Sequence, residues 1–299
     1  MSERFENETE KAGSERTANE CTASERTASE RAGRNASFKI DTAGIDSAGI
    51  DTTCTASARR AGAKRAAFVI MKRELAAYFT GPIAYIVTGL FLVFSGFFFF
   101  SVFFLADRAE LRQFFTLLPV LFAFFIPALT MRVFSEETRS GSLETLLTLP
   151  VSAADVVAGK YLASLIASAS MLVPTLLYAA TAAVFGDPDP GPLAGGYIGA
   201  IFLAAAFCAV GVYASSITKN QIIAFFTAFA VCIVLTMIDN FLVFLPGAFV
   251  SAANFLSASA HFESVARGII DSRDIVYFLS LTAVFIGLTV CSVERRRRA

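Results

Sequence analysis

The chain has 299 residues, is 55% hydrophobic and carries 25 basic and 25 acidic side chains, with a mean hydropathy of +0.61. Averaged over a chain whose first fifth is polar, that hydropathy is too high for an ordinary water-soluble domain. The balanced charge leaves no footprint for nucleic acid, and the 5 cysteines fall in no CxxC or ligand spacing, so neither a disulfide framework nor a zinc site is indicated.

Residues 1–65 read as a disordered polar tail. Ser-Glu-Arg recurs at 2–4, 14–16, 24–26 and 29–31, and large apolar residues are almost missing. Such a segment cannot offset the entropy of ordering. It has no apolar h-region of the kind a secretory signal needs. An alternative reading leaves the tail untranslated and starts the chain at Met71, just ahead of Lys72, Arg73, Glu74 and Leu75. Residues 66–299 form the second region.

The first element of that region mixes Phe68, Val69, Ile70, Leu75, Tyr78 and Phe79 with Lys72, Arg73 and Glu74. It reads as an amphipathic helix lying in the membrane interface; a plain cytoplasmic extension of the first membrane helix is the competing reading. Six apolar windows then approach the length a bilayer requires: 83–105, 114–130, 161–185, 197–217, 222–245 and 275–293. Pro174 predicts a kink within the third, and the Gly/Pro-rich run 186–192 predicts a break before the fourth. The fold class is therefore an all-α integral membrane protein with six transmembrane helices. The windows do not alternate as barrel strands would.

Basic flanks set orientation. Arg59, Arg60, Lys64, Arg65, Lys72, Arg73, Arg132, Arg139, Lys160, Lys219 and Arg295–Arg298 fall on one side. Only Arg108, Arg112, Arg267 and Arg273 fall on the other. Both termini and the segment 131–160 are thus expected in the cytoplasm, and the membrane to be the inner one.

Between the second and third windows, Glu136, Glu137, Arg139 and Gly141 precede Leu143, Glu144, Leu146, Leu147 and Pro150. Leu143, Leu146 and Leu147 share one face of a short helix that Pro150 stops. Ser152 and Asp155 then match a capping box that starts the next helix. Asp239 is the one acid well inside an apolar run, hence a possible intramembrane polar site; its place near the outer end of its helix favours an interfacial reading. Gly195 and Gly199 form a GxxxG, suited to close packing or a dimer contact. His261, the single histidine, reads as structural. Gly159-Lys160 lacks the glycine spacing of a P-loop, and no catalytic motif is present.

The pattern Glu136-Glu137-x-x-x-Gly141-x-Leu143-Glu144-x-Leu146-Leu147-x-x-Pro150-Val151 resembles the coupling segment of ABC-2 type transporter permeases. Residues 79–86, Gly159-Lys160-Tyr161-Leu162 and Thr218-Lys219-Asn220-Gln221 look most like the gliding-motility and nitrous-oxide-reductase-maturation branch. The resemblance implies a permease with a cytoplasmic coupling helix within the segment from Glu136 to Pro150. It implies an ABC ATPase subunit that binds the ATP, a second permease subunit and contact with membrane lipid, with no cofactor or catalytic site in this chain. The rival readings are a non-transporting scaffold of a surface machine and an ion-coupled secondary transporter.

Overall fold

The computed structural model describes residues 67–106, 112–142, 152–185, 189–241, 255–269 and 271–298. The expected tail and residues 143–150 of the coupling segment lie outside these residues. The described residues are organised as helices: α1 (67–80), α2 (Pro82–Ala106), α3 (Arg112–Thr130), α4 (Arg132–Ser140), α5 (Ala153–Leu172), α6 (Leu176–Phe185), α7 (Pro190–Ile217), α8 (Gln221–Phe241), α9 (Ala258–Ala266) and α10 (Ser272–Arg298). Among the described residues, six stretches are long and apolar enough to cross a membrane, including Gln113–Ser140, which joins α3 to α4, and Ala153–Val184, which joins α5 to α6.

Several boundaries differ from the sequence windows, each for a local reason. The third span begins at Ala153 rather than 161, because the Ser152 hydroxyl accepts the Asp155 amide and caps the helix there. It breaks at 173–175, around Pro174, as expected. The fourth begins at Pro190, inside the run expected to be a breaker. Proline is tolerated in a first helical turn, whose N–H groups have no intrahelical acceptor. The fifth is described as far as Phe241, and 242–245 lie outside the described residues.

α7 is the central helix. It is buried along most of its length, through Ala200, Leu203, Ala204, Phe207, Cys208, Val210 and Val212. α3 packs beside it with Phe115, Leu118, Phe122 and Ile126 buried. α2, α8 and α10 lie outside, with Val93, Phe97, Phe226, Val234, Leu279 and Val284 exposed. In water, apolar faces of that extent would drive association; a hydrocarbon environment removes the penalty.

Hydroxyls inside the spans are satisfied locally. Thr130, Ser164 and Thr175 donate to carbonyls three or four residues back, as a medium without water requires. At the Pro174 break, the Tyr197 hydroxyl donates to the Thr175 carbonyl at 2.8 Å.

The small residues of α7 serve packing within the chain. A Cβ on Gly195 would lie 2.4 Å from the Val265 carbonyl oxygen, and one on Gly199 would meet Val265 and Phe262. The GxxxG therefore seats α9. A Cβ on Gly196 would strike the Phe115 ring, and one on Gly211 the Thr130 side chain. Backbone cannot yield as a flexible side chain can, so Gly195→Ala should displace α9 and destabilise the protein by about 1–3 kcal/mol. Thermal unfolding in nanodiscs checks this; an unchanged midpoint would mean that α9 is not held where the structure has it.

Candidate functional site

One end of the bundle gathers Lys160, Lys219 and the basic run of α10, and α4 projects there. It is the charged continuation of the second span. The turn at Met131 interrupts the ladder between α3 and α4. The side chain of Ser215, from α7, fills the interruption: its hydroxyl accepts the amides of Phe134 and Ser135, both at 3.0 Å, and donates to the Met131 carbonyl at 3.0 Å. A side chain inserted into a helical ladder is one of the recognised causes of a bend. Without that hydroxyl, two buried donors lose their acceptor. Ser215→Ala should therefore cost about 1–3 kcal/mol and increase amide hydrogen exchange at 134–135. Exchange that stays as slow as in the parent would show the hinge to be held by other means.

Three further elements hold α4. Lys160, on α5, is 1% exposed. Its Nζ donates to Glu137 on α4 at 2.8 Å, to Glu74 on α1 at 3.0 Å and to the Val133 carbonyl at 3.0 Å. It also lies 5.2 Å from the centre of the Phe134 ring. Three donors thus meet three acceptors, which is how a buried ammonium is tolerated. Arg296, on α10, donates to the Thr138 hydroxyl and to the carbonyl of Ile217 at the end of α7. Val133 and Phe134 pack with Val156, Val157, Val212 and Val293. One short helix is thereby tied to α1, α5, α7 and α10.

α1 is a separate helix, set off from the first span by a bend at Gly81. Its inner stripe, 67, 70, 71, 74, 75 and 78, follows the 3.6-residue period. Gly159 admits it: a Cβ there would lie 2.7 Å from the Ala67 carbonyl oxygen and 3.0 Å from Ile70. The Tyr78 hydroxyl donates to the Leu129 carbonyl at 3.3 Å. Burial, with Cys208 and Glu74 adding to it, pushes the Tyr78 phenol well above its ordinary value, so it stays a donor. Phe68, Val69 and Phe79 are exposed on the outer face.

The residues expected to take part in coupling divide accordingly. Glu136 is exposed and paired with Arg132 one turn back at 2.8 Å. Glu137 turns inward to Lys160, and its Oε2 is buried without a hydrogen-bond partner among the described residues. Arg139 is exposed in the last turn of α4, and Gly141 closes the helix with φ +74°, a conformation that suits glycine. Leu143, Glu144, Leu146, Leu147 and Pro150 lie outside the described residues. Asp239 sits near the C-terminal end of α8, partly buried, with Oδ1 unpartnered among the described residues.

At the other end, His261 of α9 is held by Asp274 of α10. Its Nδ1 is 2.6 Å from Asp274 Oδ1, and its Nε2 is 3.1 Å from the Phe255 carbonyl oxygen. Each ring nitrogen thus has a hydrogen-bond partner. The ring stacks on Tyr277 at 4.3 Å, and the Tyr277 hydroxyl donates to the Leu256 carbonyl. His261 thus has the structural place expected of it, pinning α9 to the last span. Among the described residues, no group of His, Cys, Asp and Glu side chains could hold a metal ion.

Sequence reasoning missed the roles of Lys160, Glu74, Ser215 and Arg296. Lys160 carried a usable signal, since the Ser152 cap places it two turns inside a helix otherwise apolar, where an ionisable group needs a partner. Ser215 carried none, because many serines in such helices bond only to their own backbone.

Residues 22–297 match the family model described as "ABC-2 family transporter protein". The match begins within the stretch read as a polar tail. No curated protein matches the chain.

Proposed function

Since the chain belongs to the ABC-2 family of transporter proteins, we propose that it couples ATP hydrolysis by a separate ATPase subunit to movement of a substrate across the inner membrane. It is a multi-pass membrane protein and the permease component of an ABC transporter. The coupling reading is carried by α4. This helix extends from the second span and is tied through buried polar contacts to α1, α5, α7 and α10. An ATPase pressing on the chain just beyond Gly141 would push on an element anchored to most of the bundle. Rigid-body movement of one half against a second permease subunit is the expected response.

The basic end is read as cytoplasmic, which puts both termini and the segment after Gly141 on the side where ATP is found. The motifs at 79–86 and 218–221 support the gliding-motility and nitrous-oxide-reductase-maturation branch. The site residues carry over as the ATPase-facing set Glu136, Arg139, Gly141, Leu143, Glu144, Leu146, Leu147 and Pro150. Glu137 acts from behind by holding Lys160.

The test is reconstitution of the chain with its ATPase in nanodiscs. The chain should raise ATP hydrolysis, without dependence on a proton or sodium gradient. Asp239→Asn should leave this rate within a factor of about two. A collapse with normal insertion would favour ion coupling, and no effect of the chain on hydrolysis would favour the scaffold. Orientation is checked separately, in intact cells, with a membrane-impermeant thiol reagent. A cysteine at Asp107, Asp187 or the exposed Ile269, near His261, should be labelled and one at Ser140 should not. The reverse pattern would invert the topology.

A further inference from the structure

His261 is the single histidine of the chain, and the coupling reading makes no use of it. It lies in α9 at 8% exposure, against Asp274 of α10 at 4%. Both line a cavity of about 490 Å³, with Phe255 and Ser264 beside them. Among the described residues, only Asp274 Oδ1 and the Phe255 carbonyl hydrogen-bond the ring. The other Asp274 oxygen, Oδ2, is buried and has no partner among them.

These two bonds imply a count of protons. A carbonyl oxygen only accepts, so Nε2 carries a proton toward Phe255. Nδ1 and Oδ1, 2.6 Å apart, then need one more between them. The pair therefore holds one proton beyond a neutral ring and a carboxylate, whichever of the two atoms carries it. Without that proton, one N–H is left for two acceptors. The carboxylate is the stronger acceptor, so the N–H settles on Nδ1. Nε2 is then bare, and its lone pair opposes the Phe255 oxygen at 3.1 Å. The carbonyl has to move away.

We propose that His261 and Asp274 form a proton-dependent latch on the entry to α9. It is closed on Phe255 while the pair holds its shared proton, and released when that proton leaves through the cavity to solvent. The closed form binds more protons, so it is favoured as pH falls and lost as pH rises. Other ionisable groups surround the ring without bonding to it. Tyr277 of α10 stacks on it and donates to the Leu256 carbonyl. Asp239 of α8 acts electrostatically on Tyr277. Glu263 and Arg267 of α9 pair with each other. Asp271 and Arg273 line the same cavity. α7, on which α9 is seated, carries no charged residue. The latch lies at the end away from α4 and does not rest on the coupling reading.

The test uses the full chain in nanodiscs, made without a histidine tag and with isotope-labelled histidine, so that NMR sees one imidazole. From about pH 5 to about pH 9, a range that brackets an ordinary imidazole, Nε2 should pass from protonated to bare. Hydrogen exchange of peptides covering 255–260, with the intrinsic pH dependence of exchange divided out, should lose about tenfold in protection over the same range, the factor of one hydrogen bond. His261→Gln should remove this pH dependence. Asp274→Asn discriminates a latch from a merely structural pair. Its amide donates to Nδ1 while a neutral ring still gives Nε2–H to Phe255. The latch should then stay closed at the alkaline end, about tenfold better protected there than in the parent. Protection lost in Asp274→Asn at every pH would overturn the proposal, as would a pH dependence that survives His261→Gln. Two results on the parent chain alone would do the same: protection that does not change with pH, or an Nε2 that loses its proton while 255–260 stays protected.

Discussion

Lys160→Met should destabilise the protein by about 3–5 kcal/mol, the cost of leaving partners of a buried ion pair uncompensated. Glu137 and Glu74 are each about one-fifth exposed in their pairs with Lys160, so solvent relieves only part of their charge. Both α1 and α4 should loosen, since the ammonium donates to a carboxylate on each. Thermal unfolding in nanodiscs and hydrogen exchange over 67–80 and 132–140 report the effect. A triple variant, Lys160→Met with Glu74→Gln and Glu137→Gln, should recover much of the loss, because removing charges together is far less costly than stranding some. ATP hydrolysis by the reconstituted complex should fall in the single variant even where the protein stays folded. An unfolding midpoint equal to that of the parent would mean that the ammonium is not what joins the three helices.

The second large effect is expected just beyond Gly141. Glu144→Arg should weaken association with the ATPase and abolish coupled hydrolysis, while the chain still inserts with six spans. A charge reversed at an interface costs several kcal/mol when the site is buried, of order 2–5 kcal/mol for a lost partner. Leu146→Asp should do the same by removing an apolar anchor of the face that Leu143, Leu146 and Leu147 are expected to form. A compensating charge reversal on the ATPase should restore Glu144→Arg and leave Leu146→Asp defective. Co-purification of the ATPase with each variant is the measurement. Full retention with both variants would remove this segment as the docking element.

The two experiments probe successive links. Glu144 and Leu146 concern where force would enter the chain; Lys160, Ser215 and Arg296 concern where it would go next. A variant that keeps the ATPase bound but loses hydrolysis belongs to the second link, and one that loses the ATPase belongs to the first.

The six spans were legible in the sequence because a membrane helix needs only length and apolarity, and both are local properties. The capping box at Ser152 and the break at Pro174 were legible for the same reason: each acts on its own turn of backbone. The break expected in the run 186–192 falls before Pro190, so the fourth span starts within that run rather than at 197, since proline breaks a helix interior but is tolerated in a first turn. The GxxxG at Gly195 announced a close approach but not its partner, which is α9 of the same chain. What only the tertiary structure decided is the knot beside α4. Glu74, Glu137 and Lys160 are separated by up to 86 residues, and Ser215 closes a hinge 81 residues away. No periodicity or spacing encodes such pairings. They arise because a buried ammonium, a broken helical ladder and an orphaned carbonyl each require a partner in a medium without water, and the packing of α1, α5, α7 and α10 around α4 determines which side chain supplies it.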